Sequence, residues 1–393
     1  MRILTLNANL KDAGTYYRCF YFSRELARHG HDVTMITVSR ASRFRPRTYF
    51  TRDRINEQAA PAGDGPWVRM IEGPRWGYKL LPGWGYGPLD IWLRLREILT
   101  GDYDLIYGFE YQPNVSWPVY LTRPLKRYRF YSDWCDWHAG GCNVLRGWKL
   151  AHKVDGFFEE HIRLIADKVT TSVSLLRQRA VRIGVPEHRI AFVAQGCDSD
   201  YITPVDIQSV RKQLNFPLEV PIVGMGIEIY WRESLEVFQQ IRQQIPAALL
   251  LIIGHKQAGL REYAERLGLG TSVIETGWVS DVEYPLYLSI PDVLFLVMKP
   301  DLSDLGRWPG ILCDYLAAGR PTVVTDVGES AAFIKQHQAG LTVSSLEELA
   351  DQIVHLLKDT EARRFYGAQA RRAAVTGLDW RVLGEVINQV VVG

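Results

Sequence analysis

The chain has 393 residues, 47% of them hydrophobic and 23% charged, with a formal net charge of +2. That length exceeds one ordinary core and predicts two domains of a soluble globular protein. No uncharged apolar run reaches the ~18–20 residues of a membrane span, and five scattered cysteines argue against a disulfide framework and for a reducing, cytoplasmic setting.

In chain order, "RILTLNA" at the start is an apolar strand, so no secretory leader is expected. "LKDAGT" is a loop, Tyr16–Arg28 an amphipathic helix with Thr15 as candidate N-cap, and "HGHDVTMITV" a helix end and second strand. This is one β-loop-α-β unit of a parallel sheet. Residues 40–90, dense in Gly, Pro, Arg and aromatics, are expected to be irregular. "DYDLIYG" and "RYRFYSD" follow as strands, "EEHIRLIADKVTTSV" as a helix entering a strand, and "IAFVAQG" as a strand. Three prolines around one short helix in "TPVDIQSVRKQLNFPLEVP" predict a domain break, setting domains at 1–204 and 205–377. The alternation then restarts: strands "PIVGMG", "AALLLIIG", "DVLFLVM" and "PTVVTDV" alternate with helices "RESLEVFQQIRQQ", "GLREYAERLG", "DVEYPLYLSI" and "ILCDYLAAG". Three helices close the chain, the last over 378–393. The expected fold class is α/β, two doubly wound Rossmann-like domains facing across a cleft, with ligands beyond the carboxyl ends of the strands.

Charge is uneven. Residues 1–200 hold 29 Lys+Arg against 21 Asp+Glu, a net of +8, and residues 201–393 hold 17 against 23, a net of −6. Arg40, Arg43, Arg45, Arg47, Arg52 and Arg54 crowd one stretch, and Arg123, Lys126, Arg127 and Arg129 another. Each is either solvated surface or a patch for anionic lipid or a phosphorylated acceptor. Base-stacking and zinc-finger patterns are missing, so nucleic acid is not expected. Cys135, His138 and Cys142 match no standard zinc spacing and are expected to be ordinary residues.

"RWPGILCDYLAAGRPTVVTDVGES" opens a helix with Pro-Gly and runs into a buried strand. A helix mouth exposes unpaired amides and the positive end of a dipole. Gly310, Ile311 and Leu312 could therefore offer amides to a phosphate, and Asp314, one turn on, could take ribose hydroxyls. The same pattern also suits a plain helix start with a glycine cap at Gly319.

This segment resembles the nucleotide-sugar segment of GT-B-fold retaining glycosyltransferases of the family 4 type. "AGTYYRCFYFSRELARHGHDVTMIT", "ADKVTTSVSLLRQRAVRIGVPEHRIAFVAQGCD" and "GLDWRVLGEVINQVV" resemble other passages of that family. Together they cover most of the chain except about residues 40–100. The resemblance implies a nucleotide-diphosphate donor such as a UDP- or GDP-sugar, a saccharide or lipid-linked acceptor, stereochemical retention by front-face attack, no metal or other cofactor, and a last helix that packs back on the first domain. It implies donor-binding roles for Gly14, Arg232, Gly254, Trp278, Val279, Lys299, Gly310, Ile311, Leu312 and Asp314. It implies acceptor-side roles for Asp133, Asp136 and His138, where a carboxylate or imidazole can orient a hydroxyl. The family's two acidic positions fall on Gly306 and Asp314, and "Asn-Gly-Val-Asp" becomes Gln195-Gly196-Cys197-Asp198. Asp301 or Asp304 could substitute for the missing acid. An epimerase of the same fold and a silent scaffold for another transferase are the alternative readings, and peripheral contact with an anionic inner membrane surface is compatible with the charge clusters.

Overall fold

The computed structural model describes residues 1–61, 63, 65–79, 84–138, 149–227 and 229–393. Two compact units form. One comprises Met1–Ala194, Asp301–Trp308 and Trp380–Gly393, the other Gln195–Pro300 and Pro309–Asp379. The break falls at Ala194 rather than at 204, and a loop segment expected in the second domain groups with the first.

The first unit is built from β1 (Arg2–Leu10), α1 (Tyr16–Arg28), β2 (Asp32–Val38), β3 (Arg47–Thr51), β4 (Glu57–Gln58), β5 (Val68–Gly73), α2 (Pro88–Thr100), β6 (Leu105–Phe109), α3 (Pro113–Thr122), β7 (Arg129–Trp134), α4 (Lys149–Leu164), β8 (Lys168–Thr171), α5 (Ser174–Ile183) and β9 (Ile190–Phe192). Its sheet runs β4-β3-β5-β2-β1-β6-β7-β8-β9. All neighbours are parallel except β3, which pairs antiparallel with β4 and β5. The stretch 40–90, expected to be irregular, thus contributes three strands and the start of a helix. From β5 the chain steps across to β6 and onward in one direction. Right-handed crossovers then lay α2 to α5 on the sheet face opposite α1.

The second unit contains α6 (Ile207–Gln213), β10 (Ile222–Gly226), α7 (Trp231–Gln244), β11 (Leu249–Ile253), α8 (Leu260–Arg266), β12 (Val273–Glu275), α9 (Tyr284–Ser289) and β13 (Val293–Leu296). The short helix α10 (Leu302–Leu305) belongs with the first unit. Then come α11 (Gly310–Ala317), β14 (Thr322–Thr325), α12 (Gly328–His337), β15 (Leu341–Val343), α13 (Leu346–Lys358) and α14 (Thr360–Ala373). The parallel sheet has the order β12-β11-β10-β13-β14-β15, which reverses between β10 and β13.

Burial follows the apolar runs. Ile3, Phe20, Phe22, Tyr107 and Phe109 form one core, and Val223, Leu235, Phe238, Leu250 and Phe295 the other. The closing helix α15 (Trp380–Val392) joins the first core, where Trp380 stacks on Tyr21 of α1 with centroids 5.4 Å apart. Gly319 ends α11 in the left-handed region (φ +66°), and α14 crosses against this turn at Gly367. A Cβ on Gly367 would lie 2.6 Å from the Gly319 carbonyl oxygen, and backbone cannot step aside cheaply. Gly367→Ala is therefore expected to cost about 1–3 kcal/mol despite alanine's better helix propensity. Thermal unfolding checks this, and a variant as stable as wild type would contradict it.

Candidate functional site

In the second unit the expected donor residues gather at the carboxyl ends of the parallel strands. β10 ends at Gly226, and a Cβ there would meet Ile311 Cδ1 at 1.9 Å. The mouth of α11 therefore sits directly over the end of β10. The Gly226 amide donates to the Tyr315 hydroxyl of the same helix. Gly254 (φ +131°) follows β11 directly, and a Cβ there would meet Ile227 at 2.8 Å. Gly254 bridges Gly277, and the next residues, His255 and Trp278, stack at 4.6 Å with Trp278 exposed. Val279 follows, half-buried.

Lys299, just past β13, and Arg232, at the start of α7, are both exposed. The Lys299 ammonium lies 2.5 Å from Glu233 and 4.7 Å from the Tyr230 ring, and Arg232 lies over Trp231 at 4.3 Å. Glu233 thus draws Lys299 to the mouth of α7, and although partial burial opposes it, that hydrogen bond holds the carboxyl below its usual range.

At the mouth of α11 the structure corrects one expectation. The Leu312 amide donates to the Pro309 carbonyl at 3.1 Å, so Gly310 and Ile311 are the amides that head the helix. Asp314 is half-buried and accepts from the Tyr284 hydroxyl of α9 at 2.9 Å. Gly310 has the Gln195 side chain beside it, 3.0 Å from where a Cβ would stand.

In the first unit a second group forms beyond β6 and β7. Glu110 follows β6 with φ +73°, in a region that costs a non-glycine residue about 1–3 kcal/mol. Its buried carboxylate accepts from the Cys135 thiol at 2.9 Å, lies 3.4 Å from His138 Nε2, and has the Arg163 guanidinium at 3.8 Å. His138 is held edge-on to Trp84 and near the Tyr111 ring, with centroids at 5.4 and 5.7 Å. Its amide donates to Glu159. Burial alone would favour the neutral ring. The adjacent Glu110 carboxylate, with Glu159 and Asp136 behind it, instead raises its pKa from 6.5 to about 9. Burial likewise opposes ionisation of Glu110, yet His138 and Arg163 hold it below the usual range. Asp136 moves the other way: burial and the Glu110 charge raise its pKa against the pull of His138 and Arg307.

Asp136 also bridges Arg307, and the Trp137 amide donates to the Gly306 carbonyl, so Asp301–Trp308 is laced to this segment. A Cβ on Gly306 would lie 2.7 Å from the Leu302 carbonyl and 2.8 Å from the Trp137 side chain. The position of the resembled family's first acid therefore has no room for one. Neither nearby aspartate stands in for it: Asp301 caps α10, and Asp304 is fully buried and paired with Arg307 at 2.7 Å.

Asp133 requires a correction as well. It is fully buried and gripped by Arg18 of α1, Nε to Oδ2 at 2.8 Å and Nη2 to Oδ1 at 3.0 Å, with Thr170 donating at 2.6 Å. Its carboxylate is consumed inside the fold and is not offered to a hydroxyl. Gly14 lies in the loop after β1 in the left-handed region (φ +55°), against Asn9, whose side chain donates to Thr15.

The first arginine cluster is largely spent on structure. Arg40 donates to the Lys11 and Asp12 carbonyls, Arg47 pairs with Glu57, and Arg52 and Arg54 lie over Trp67 and Tyr17. Among the cysteines, Cys142 lies outside the described residues. Ligand atoms of Glu110, Cys135 and Asp136 fall within 4.8 Å of one another, but the imidazolium and two guanidinium groups already face these carboxylates.

Residues 231–359 match the family described as Glycosyl transferases group 1. The second unit carries a group 1 glycosyl transferase domain. That domain holds Arg232, Gly254, Trp278, Lys299, Gly310 and Asp314, and it makes the chain a glycosyltransferase. Over its length the glycosyltransferase is similar to sucrose-phosphate synthase from Thermosynechococcus elongatus, with 18% identity, TM-score 0.74, and coverage of 100% of this chain and 98% of that one. It is also similar to HepE from Anabaena in complex with UDP-glucose, with 16% identity, TM-score 0.71, and coverage of 100% and 99%. A third similar structure is WaaG, a glycosyltransferase involved in lipopolysaccharide biosynthesis, with 14% identity, TM-score 0.67, and coverage of 99% and 100%. At such identities these likenesses establish the GT-B fold. No curated protein sequence matches the chain.

Proposed function

We propose that the chain transfers a sugar, with retention, from a nucleotide-diphosphate donor to a hydroxyl of a saccharide or lipid-linked acceptor. The single observation that carries this reading is the family match over 231–359, a stretch that contains Arg232, Lys299 and the mouth of α11. HepE is described with UDP and with UDP-glucose, which makes a UDP-sugar the first donor to test.

In this reading the C1–O bond to the diphosphate breaks as the acceptor oxygen bonds to C1. Charge grows on the departing phosphate, and amides and cations aimed there supply the stabilisation. Gly310 and Ile311 offer the amides, and Arg232 and Lys299 the charge, so no step is routed through a metal. The acceptor proton passes to the leaving phosphate oxygen from the same face. Asp136 and the His138 imidazolium orient sugar and acceptor hydroxyls. The setting is cytoplasmic, with the enzyme peripheral at an anionic inner membrane surface.

Calorimetry with UDP and GDP tests the donor half. Wild type is expected to bind UDP, and Arg232→Ala to weaken binding roughly ten-fold, the scale of one lost charge-assisted contact. Binding of neither nucleotide would overturn the reading. The blocked Gly306 position favours one rival, a nucleotide-sugar binder that does not turn over. UDP binding without sugar release, and without conversion of UDP-glucose to an epimer, would select it.

A further inference from the structure

We propose that the outer face of α2, α3 and α4 seats the chain on an anionic lipid surface, from which a lipid-linked acceptor reaches His138. The lipid-linked acceptor and the peripheral membrane setting rest on the proposed function; the face that does the seating is added here.

Helices on the outside of a sheet ordinarily turn polar residues to water. Here three neighbouring helices do the reverse. Leu89, Trp92 and Leu99 on α2 are exposed, Trp92 at 59%. On α3 and the turn after it, Trp117, Leu121 and Leu125 are exposed at a four-residue spacing, Leu125 at 72%. On α4, Val154, Phe157 and Leu164 are exposed, Phe157 at 59%. The crossovers place all three helices on one sheet face. Tyr120 joins α3 to α4, with its hydroxyl 3.0 Å from His161. The next helix in the row, α5, exposes only Val181 among its large apolar residues and turns Arg177, Gln178 and Arg182 outward, so the apolar face gives way to a polar one there. So many large apolar side chains on adjoining helices mark an interaction surface rather than scattered exposure.

Charge decides the occupant. The exposed charged positions among the described side chains of α2, α3, α4 and the turn after α3 are Arg96, Arg127 and Lys153, all cationic. The turn after α2 adds the exposed acids Asp102 and Asp104, which share one hollow with Arg123, Lys126, Arg127 and Arg129, so bases outnumber acids at this edge. The acids of these helices are turned inward or paired. Asp90 is buried with Arg94, Glu97 pairs with Arg69, Asp155 accepts from Tyr111, Glu159 is buried against Trp134, and Glu160 pairs with Arg179. Tryptophans and phenylalanine flanked by bases suit the boundary between acyl chains and anionic headgroups. Among the described residues no helix is long and apolar enough to cross a membrane, so this surface lies on the bilayer.

The face also leads to the acid–imidazole group. Tyr86 meets Trp117 edge-on at 6.1 Å, and two residues earlier Trp84 meets His138 at 5.4 Å. One short aromatic segment therefore spans from the exposed rings to the imidazolium, a short reach for a headgroup still anchored by its chains.

Vesicle flotation tests the proposal, using phosphatidylcholine vesicles with and without phosphatidylglycerol. The full chain is expected to float with the anionic vesicles, less so at high salt. Leu125→Ser with Phe157→Ser should lower the bound fraction roughly ten-fold, with melting temperature and UDP affinity unchanged. Arg96→Gln with Arg127→Gln should abolish the preference for phosphatidylglycerol. No flotation, or equal flotation of the serine variant, would overturn the seating. A dimer in solution that the serine variant converts to monomer would overturn it too, by giving the face to a second copy. Loss of UDP binding in wild type would instead count against the proposed function and leave flotation intact.

Discussion

Arg18→Met is expected to destabilise the first unit by about 3–5 kcal/mol, the usual cost of stripping one partner from a buried ion pair. Arg18 is 1% exposed. It reaches from α1 under the sheet and holds four oxygens: both of Asp133 and the carbonyls of Val193 and Ala194. Burial disfavours its charge, yet Asp133 raises its pKa further. The fully buried carboxylate then has only Thr170 left when the guanidinium is removed. Methionine fills similar volume, so the loss is electrostatic rather than a cavity. Replacing both members, Arg18→Met with Asp133→Leu, should recover part of the loss, because no buried charge is orphaned. Urea unfolding followed by circular dichroism measures each, with the first unit's transition fitted separately. A single-variant loss under about 1 kcal/mol would mean that this pair does not hold α1 to β7 and the segment after β9, and would reopen Asp133 as a residue available to substrate.

The reading of Asp133 illustrates where sequence stops. "RYRFYSD" announces a strand ending in an acid, and strand ends in parallel sheets are where ligands bind. Nothing local says that Arg18, 115 positions earlier, has already claimed that acid. The apolar run "DVLFLVM" was legible from its short length and its flanking residues, and the amphipathic α13 and α14 from their periodicity. β3 to β5 were not. "RTYFT" and "VRMIEG" carry arginines and sit among Gly and Pro, and only the pairing of β5 with β2 and of β3 with β5 makes strands of them. α3 carries Pro118 in its interior, which argues against a helix on local grounds, although Pro113 at its first position suits one. In the candidate site, the family resemblance pointed to Asp136 and His138, and Pro-Gly before an apolar run pointed to the α11 mouth. Glu110 was not, although an acid closing the apolar strand "LIYGF" was the available signal. Arg163 and Arg307 come from distant segments, and only the fold brings them to it.

Glu110→Gln is expected to return the His138 ring to its neutral form and to lower turnover at pH 7.5 by roughly a hundred-fold, the scale of losing one positioned acid. In wild type, burial works against the imidazolium, and Glu110 leads the groups that overcome it. Glutamine keeps the shape and removes the charge, so burial gains weight and the ring's pKa is expected to fall toward the range where the neutral form prevails. The linkage has a definite sign. A pKa raised from 6.5 to about 9 contributes stability that is complete below pH 6.5 and lost as pH rises through about 9. Wild type should therefore weaken across that window, and Glu110→Gln should not. Glu110→Gly separates charge from backbone. It relieves the left-handed strain at φ +73° yet removes the carboxylate, so it should mimic glutamine in the titration while recovering stability. Proton NMR of the His138 ring reads the titration directly. A ring still titrating near 9 in Glu110→Gln would assign its charge to Glu159 and Asp136 instead, and Glu110 would then be a structural residue rather than the one that positions the acid.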